Sequence, residues 1–371
     1  MDKVLEITVM FNHIYRGKRV LLTGHTGFKG SWLAMWLQRL GAEVCGIGLL
    51  MPEQYSHWQL LQLKMRSEIA DIKNLDRILQ IFQDFQPDVV FHLAAQPLVR
   101  LSYKEPVETF HTNVIGSTNV LEACRKTPSV RAIVAISSDK CYENREWAWG
   151  YREDEPLGGY DPYSASKGCA ELVISSYRRS FFNNIDYGKK HQTLLASGRA
   201  GNVIGGGDWA PDRLVPDIMK AAAANNEVEI HSPKATRPWQ HVLEPLSGYL
   251  ALGQRLLQEE IQFAESWNFG PSDDGIITVK NAATELAKHW DAIRIQLKQP
   301  TEILHEANLL RLDCSKARYE LCWHGVWTSA ETFKYTAQWY KNFYLEQKLN
   351  TMADLDAYIT TAQEKELPWT Q

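Results

Sequence analysis

Short apolar runs alternate with amphipathic stretches through the first half of the chain. Residues 18–23 (KRVLLT) have the length and composition of a buried strand, and residues 29–40 repeat their apolar positions at helical spacing. Residues 43–49 predict a second strand and 67–71 a third. Residues 75–85 form a helical pattern that stops before Pro87, since the residue preceding a proline is pushed out of the helical region. Residues 88–95 (DVVFHLAA) and 131–138 (RAIVAISS) are nearly continuous apolar runs, the mark of strands covered on both faces. Residues 108–125 and 162–178 read as helices, and 193–200 as a further strand. This alternation predicts an α/β fold: a Rossmann-type doubly wound parallel sheet joined by right-handed crossovers. Ligands of such sheets lie beyond the carboxyl ends of the strands.

After Asn202 the pattern changes. Pro, Gly and Trp become denser, the strand at 227–230 is short, and helical patterns are interrupted until residues 329–349. The expectation is a dinucleotide-binding domain over 1–202 and a smaller C-terminal α/β lobe over 203–371, mainly for substrate, with the chain free to cross back between them. The stretch beyond Ala353 predicts nothing definite. With 44% hydrophobic and 23% charged residues the composition is that of a globular protein. A net charge of -4 without a basic run argues against nucleic acid, so an anionic ligand needs a local site. The six cysteines show neither C-x-x-C pairs nor zinc spacing, which predicts no metal and buried free thiols in a reducing cytoplasm. No signal-peptide pattern opens the chain and no apolar run approaches the ~18–20 residues of a membrane span, so a soluble cytoplasmic protein is expected. Trp147, Trp149, Trp209, Trp239 and Trp267 stand near Pro or Gly, either lining a pocket for a flat ligand or covering loops.

Residues 23–30 read TGHTGFKG. Gly24, Gly27 and Gly30 follow a strand and open a helix, with His25, Thr26 and Phe28 between them. The first glycine allows the turn, the second lets backbone approach a pyrophosphate, and the third lets helix and strand pack closely. The helix N-terminus adds free N–H donors and a favourable dipole. A dinucleotide site follows from that context. His25 either touches the cofactor or faces solvent. An acid is expected ~20 residues on to hold the adenosine ribose, but Leu50 stands there and Glu53 is the nearest acid. Asp71 and Ile72, after the third strand, either frame the adenine or, for Asp71, serve a turn. Leu93, Ala94 and Ala95 end the fourth strand with mostly small residues that permit backbone contact with a cofactor.

Tyr163 and Lys167 (Y-S-A-S-K) stand at i and i+4, on one face of a helix. An ammonium beside a phenol lowers the phenol's pKa, which suits proton removal from a hydroxyl during hydride transfer. Asn113, on the preceding helix, either shapes that site or is an ordinary polar helix residue. The glycine loop, HLAAQ (92–96), TNVIG (112–116) and Y-x-x-x-K stand in the order of the extended short-chain dehydrogenase/reductase family, which the chain resembles from Arg16 to about Leu345. The resemblance implies NAD as cofactor, a nucleotide-sugar substrate, and a homodimer or higher oligomer built on the helices at 108–125 and 162–178. It departs at Leu50 and in the first sixteen residues.

The strand before the tyrosine ends Ser138-Asp139-Lys140. Epimerisation or reduction needs a hydroxyl and the Tyr/Lys pair; a further charged pair suits dehydration, unless it is a surface ion pair. Within the family the segments 138–168, RAGNVIGGGDW, RPWQHVLEP and WNFGP are similar to the CDP-glucose 4,6-dehydratases, which carry Asp-Lys where dTDP-sugar dehydratases carry Asp-Glu. That likeness implies CDP-glucose as substrate, in deoxysugar synthesis of the lipopolysaccharide type. Ser138 would bond the C4 oxygen, Asp139 would be the acid at the leaving C6 hydroxyl, and Lys140 would occupy the C5 base position, with a pKa depressed by Lys167 and the cofactor's charge. Gln96, Arg199 and Asn202 would line the substrate site, and Arg213 and Arg237 would grip its diphosphate, since a guanidinium holds phosphate in bidentate fashion. His241 is either a ligand contact or a structural histidine. The rival readings are a nucleotide-sugar 4-epimerase, a UDP-sugar decarboxylase and a non-catalytic NAD(H)-binding protein.

Overall fold

The computed structural model describes residues 9–50, 55–230, 232–298 and 309–371; Glu53 lies outside them. Strands β1 (Arg19–Thr23), β2 (Glu43–Gly48) and β3 (Arg66–Ile69) alternate with helices α1 (Phe28–Arg39) and α2 (His57–Leu61). Then come α3 (Leu75–Phe85), β4 (Val89–His92), α4 (Val99–Lys104), α5 (Pro106–Phe110), α6 (Ser117–Arg125), β5 (Ala132–Ile136), α7 (Pro162–Ser180) and β6 (Leu194–Ala200). The remainder holds β7 (Asn202–Ile204), α8 (Leu214–Ala223), β8 (Glu227–Ile230), β9 (Thr236–His241), α9 (Leu243–Leu257) and β10 (Ser266–Phe269). It closes with β11 (Ile276–Thr278), α10 (Val279–Ala287), β12 (Arg294–Leu297), α11 (Ser315–Tyr319), α12 (Ser329–Glu346) and α13 (Thr351–Glu364).

Seven parallel strands form one sheet in the order β10-β6-β5-β4-β1-β2-β3. Strand β4 ends for a local reason. Beyond His92 the chain leaves the ladder, and the Thr23 hydroxyl takes up the N–H groups of Leu93 and Ala94, each at 3.1 Å. Helix α3 forms where predicted: Ile78, Ile81, Phe82 and Phe85 fall on one buried face, and the Asn74 side chain caps its start. Helix α7 starts on an Asp161 cap with Pro162 in the first turn, where the missing N–H costs nothing.

Three expectations are corrected. The single helix over 108–125 is broken by a π-helical turn, His111–Gly116, where Asn113 bonds Ser166 on α7 and Ser117, just after it, meets His92 on β4. The interrupted pattern after Asn202 hides an unbroken fifteen-residue helix, α9, which packs on β5 and β6. The stretch beyond Ala353 is helical, with Leu355, Tyr358, Ile359 and Ala362 buried along one face of α13. Strand β10, late in the sequence, completes the main sheet beside β6. A second small sheet, β11-β9-β7, stands at its carboxyl edge, with β12-β8 beyond. At the other end of the chain Phe11 stacks on Trp369, with ring centroids 5.3 Å apart, and Tyr15 donates its hydroxyl hydrogen to the Leu250 carbonyl. Among the cysteines, all free, Cys45, Cys124, Cys141 and Cys314 are buried as expected, but Cys169 is only half-buried and Cys322 is exposed.

Candidate active site

One cavity of about 1080 Å³ opens at the carboxyl ends of the strands. That exceeds the ~300–1,000 Å³ usual for one small ligand. Its floor is the loop between β1 and α1, with Gly24, Thr26, Gly27, Phe28 and Gly30 all in its wall. Gly24 has φ +80°, and a Cβ there would lie 2.8 Å from the Ala94 nitrogen. A Cβ on Gly30 would fall 2.0 Å from the Gly24 carbonyl oxygen, so loop and helix touch backbone to backbone. Leu93, Ala94 and Ala95 form the facing wall, and Asp71 and Ile72 close the end beyond β3. Asp71 also serves its own turn, accepting from the Lys73 N–H at 2.9 Å. This glycine cradle, open along one side and too close for side chains elsewhere, fits an extended dinucleotide.

The hydride pair stands across the cavity. Tyr163 and Lys167 are each 7% exposed and line it from the first turns of α7. Burial pushes the Tyr163 phenol up to about 12, against the pull of a hydrogen bond with Ser138 and the charge of Arg213. The expectation of a phenol lowered by its lysine is therefore not met: desolvation, helped by the charge of Asp139, outweighs Ser138 and Arg213. Burial also pulls Lys167 down to about 8, opposed by the carboxylate of Glu171 one turn along. Asn113 is buried outside the cavity wall. Its amide accepts from the Gln96 N–H at 2.8 Å and donates to the Gln96 carbonyl at 3.1 Å and to Ser166 at 2.8 Å, so it ties the wall loop to α7.

Ser138, Asp139 and Lys140 all line the cavity where β5 ends. The Ser138 hydroxyl accepts from the Lys140 N–H at 3.2 Å and donates to the Asp139 carboxylate at 2.9 Å, shaping a single turn. Asp139 is 3% exposed, which removes the surface-ion-pair alternative for it. Burial raises its pKa, with Lys140, Ser138, Lys29 and Arg237 pulling back. A raised carboxyl pKa favours the protonated form that an acid at a leaving hydroxyl needs.

Of the substrate candidates, Asn202, Arg213 and Arg237 line the cavity. Arg213 pairs with Asp208 at 2.8 Å. Three other candidates face elsewhere. Arg199 is buried against Glu171 and Tyr142 beneath the site. The Gln96 side-chain amide is committed to Leu98 and Thr109. His241 is fully buried between Trp32 and Trp327, its Nδ1 accepting from the Leu243 N–H at 3.3 Å; burial drives its pKa to about 3, so the neutral structural histidine is the one realised. His25 meets neither of its two expectations. It is buried, turned away from the cavity, and its Nε2 lies 2.7 Å from the Ser67 hydroxyl, in space left by Gly46 and Gly48. Leu50 is 69% exposed and outside the wall.

Lys29 and Asp208 line the cavity without having been singled out. Burial first, then the charges of Arg213 and Lys167, lower Lys29 to about 8. The signal was available: a lysine between Gly27 and Gly30 has little choice but to face the ligand side or the core. Trp209 and Trp239 line the cavity, Trp267 is core, and Trp147 and Trp149 pack on each other outside it, at 5.0 Å. Among the described residues no helix is long and apolar enough to cross a membrane.

The profile of the family described as GDP-mannose 4,6 dehydratase matches residues 21–336. A CDP-glucose 4,6-dehydratase of Salmonella typhimurium is 51% identical over 89% of this chain and 92% of its own length. A dTDP-glucose 4,6-dehydratase of the same organism is 24% identical over 74% of this chain and 78% of its own. Among solved structures, the Thermus thermophilus UDP-glucose 4-epimerase in complex with NAD matches with TM-score 0.73 at 22% identity, over 87% of this chain and 99% of the other. That likeness carries the fold. The matched profile and the half-identical relative together place this chain in the GDP-mannose 4,6 dehydratase family, within the NAD-dependent epimerase/dehydratase superfamily.

Proposed function

We propose that this chain is an NAD-dependent CDP-glucose 4,6-dehydratase, converting CDP-D-glucose to CDP-4-dehydro-6-deoxy-D-glucose and water. The carrying observation is the convergence of a buried Asp139 and its neighbour Lys140 on the same cavity wall as Tyr163 and Lys167. The nearly full-length likeness to a CDP-glucose 4,6-dehydratase supports the substrate. An epimerase or decarboxylase leaves the Asp-Lys pair without work, and a bare NAD(H)-binding protein leaves all four side chains without work.

The glycine loop, the 93–95 wall and the Asp71–Ile72 end would hold the dinucleotide, which when bound accepts a hydride from sugar C4 and returns it at C6. Tyr163 takes the proton of the C4 hydroxyl, while Ser138 hydrogen-bonds the same oxygen. Lys167 keeps positive charge beside the phenol as it ionises. Lys140 removes the C5 proton made acidic by the C4 ketone, Asp139 protonates the departing C6 hydroxyl so that it leaves as water, and Lys140 returns a proton to C5 as hydride arrives at C6. Arg213 and Arg237 bind the diphosphate, with Asn202 beside them. We read residues 1–202 as the cofactor half and 203–371 as mainly the substrate half, with α9 and β10 crossing back.

Exposed Val107 on α5, Ile115 in the π-helical turn, Leu172 on α7 and Phe181 just past it support a homodimer through the helices at 108–125 and 162–178, which light scattering tests. Free cysteines support a reducing cytoplasm. Incubation with CDP-glucose and NAD, followed by mass spectrometry, tests the reaction. Loss of one water without lasting NADH is expected; an unchanged mass with a new stereoisomer would mean epimerase.

A further inference from the structure

Behind the stretch of cavity wall formed by α7 and the Ser138–Lys140 turn lies a charge network, of which only Tyr142 reaches the cavity, that the proposed chemistry does not use. Arg199, on β6, is 3% exposed and Glu171, on α7, is 1% exposed. They pair at 2.9 Å, and the same carboxylate oxygen accepts from the Ser197 hydroxyl at 3.0 Å. The other arm of the guanidinium reaches the Tyr142 hydroxyl at 2.7 Å and the Glu153 carbonyl at 2.8 Å. Tyr142 is the residue directly after the Asp139–Cys141 turn, and its own hydroxyl hydrogen goes to Asn268 on β10 at 2.8 Å. Glu171 stands one turn beyond Lys167 and two beyond Tyr163, on the same face of α7. One guanidinium therefore holds both the helix that carries the hydride pair and the turn that carries the acid–base pair. Stability alone is a weak reason for this arrangement, because a buried ion pair is often no better than apolar residues of equal volume.

We propose that Glu171 and Arg199 are positioning residues, whose buried pair fixes α7 against the Ser138–Lys140 turn and holds Tyr163, Lys167, Asp139 and Lys140 in one register. This rests on the function proposed above. Glu171 acts on Lys167 by charge, and Arg199 acts on the turn through Tyr142. The charged and titratable groups facing Lys167 are Glu171 and Tyr163 on its own helix, Cys141 from the turn, His92 from β4 and Lys29 from α1. Glu171 is the carboxylate among them, so its loss has a definite sign: Lys167 gives up its proton at lower pH.

The two arms are separable. Glu171→Gln cuts the charge to Lys167, and Tyr142→Phe cuts the arm to the turn without removing a charge. Competitive acetylation of the ligand-free protein across pH, read by mass spectrometry, follows Lys167 with no substrate present. Glu171→Gln is expected to move its titration down by about 1 unit, and Tyr142→Phe to leave it in place. With CDP-glucose and NAD, Tyr142→Phe is expected to slow water loss at least about tenfold more than C4 oxidation, so that NADH accumulates in the steady state. Arg199→Lys, which keeps the charge but loses the fork, stands in if Tyr142→Phe does not fold, and is expected to reproduce the accumulation. An unmoved Lys167 titration, together with oxidation and elimination slowed equally in the folded variants, overturns the proposal and leaves the pair a packing feature. If wild type fails to dehydrate CDP-glucose, the function falls, and the acetylation result still decides the charge arm.

Discussion

Tyr163 and Lys140 divide the proposed reaction between them, and single substitutions separate their parts. Tyr163→Phe removes the group that ionises the C4 hydroxyl and is expected to lower turnover ~10²–10⁴-fold, the usual worth of a positioned proton acceptor. Lys140→Met is expected to permit C4 oxidation while stopping elimination, so a single-turnover mixture shows NADH absorbance without a dehydrated product. Equal loss of both signals in Lys140→Met would take the lysine out of the C5 step. These residues were legible because each sits in a local pattern: an i, i+4 pair on a helix, or a turn directly after a strand. Arg199, Gln96 and His241 were misplaced for the converse reason. Arg199 and Gln96 adjoin cavity residues in sequence and His241 lies two beyond one, but their facing is set by distant partners: Glu171 for Arg199, Thr109 for Gln96, and Trp32 and Trp327 for His241.

The β1 loop and α1 form one element in which backbone packs directly on backbone. Gly30→Ala puts a methyl group 2.0 Å from the Gly24 carbonyl, so loop or helix must shift. A destabilisation of about 1–3 kcal/mol is expected, as for other overpacked sites. Calorimetric titration should show NAD affinity falling with it, because the cradle is displaced. Unchanged melting and unchanged NAD binding would mean that the contact relaxes freely. At this scale the strands and most helices of the first half were legible from periodicity, since parallel buried strands read as plain apolar runs. The π-turn at His111–Gly116 was not, because nothing in apolar spacing separates one widened turn from its neighbours. Helix α9 was hidden for another reason: buried residues surround it on nearly all sides, so it lacks the stripe that marks a surface helix.

The molecule as a whole carries a pH dependence in its last helix. Asp354, on α13, is 5% exposed, and burial raises its carboxyl to about 8. Its folded value lies above its unfolded one, so its contribution to stability is full below about pH 4 and is lost as pH rises through about 8. Asp354→Asn is expected to flatten the melting temperature across that window, and to melt higher than wild type at the alkaline end. Parallel melting curves for the two proteins would show that the carboxyl is hydrated in solution. Strand β10 has a consequence during synthesis. The edge of β6 stays unpaired until Phe269 has been made, and Asn268, which receives the Tyr142 hydroxyl, arrives with it. A nascent chain therefore exposes a hydrophobic sheet margin from the completion of β6 at Ala200 until Phe269 emerges, and the reaction centre cannot set before then. Pauses in translation before that point prolong the exposure, and make this interval the one in which chaperones have most to protect.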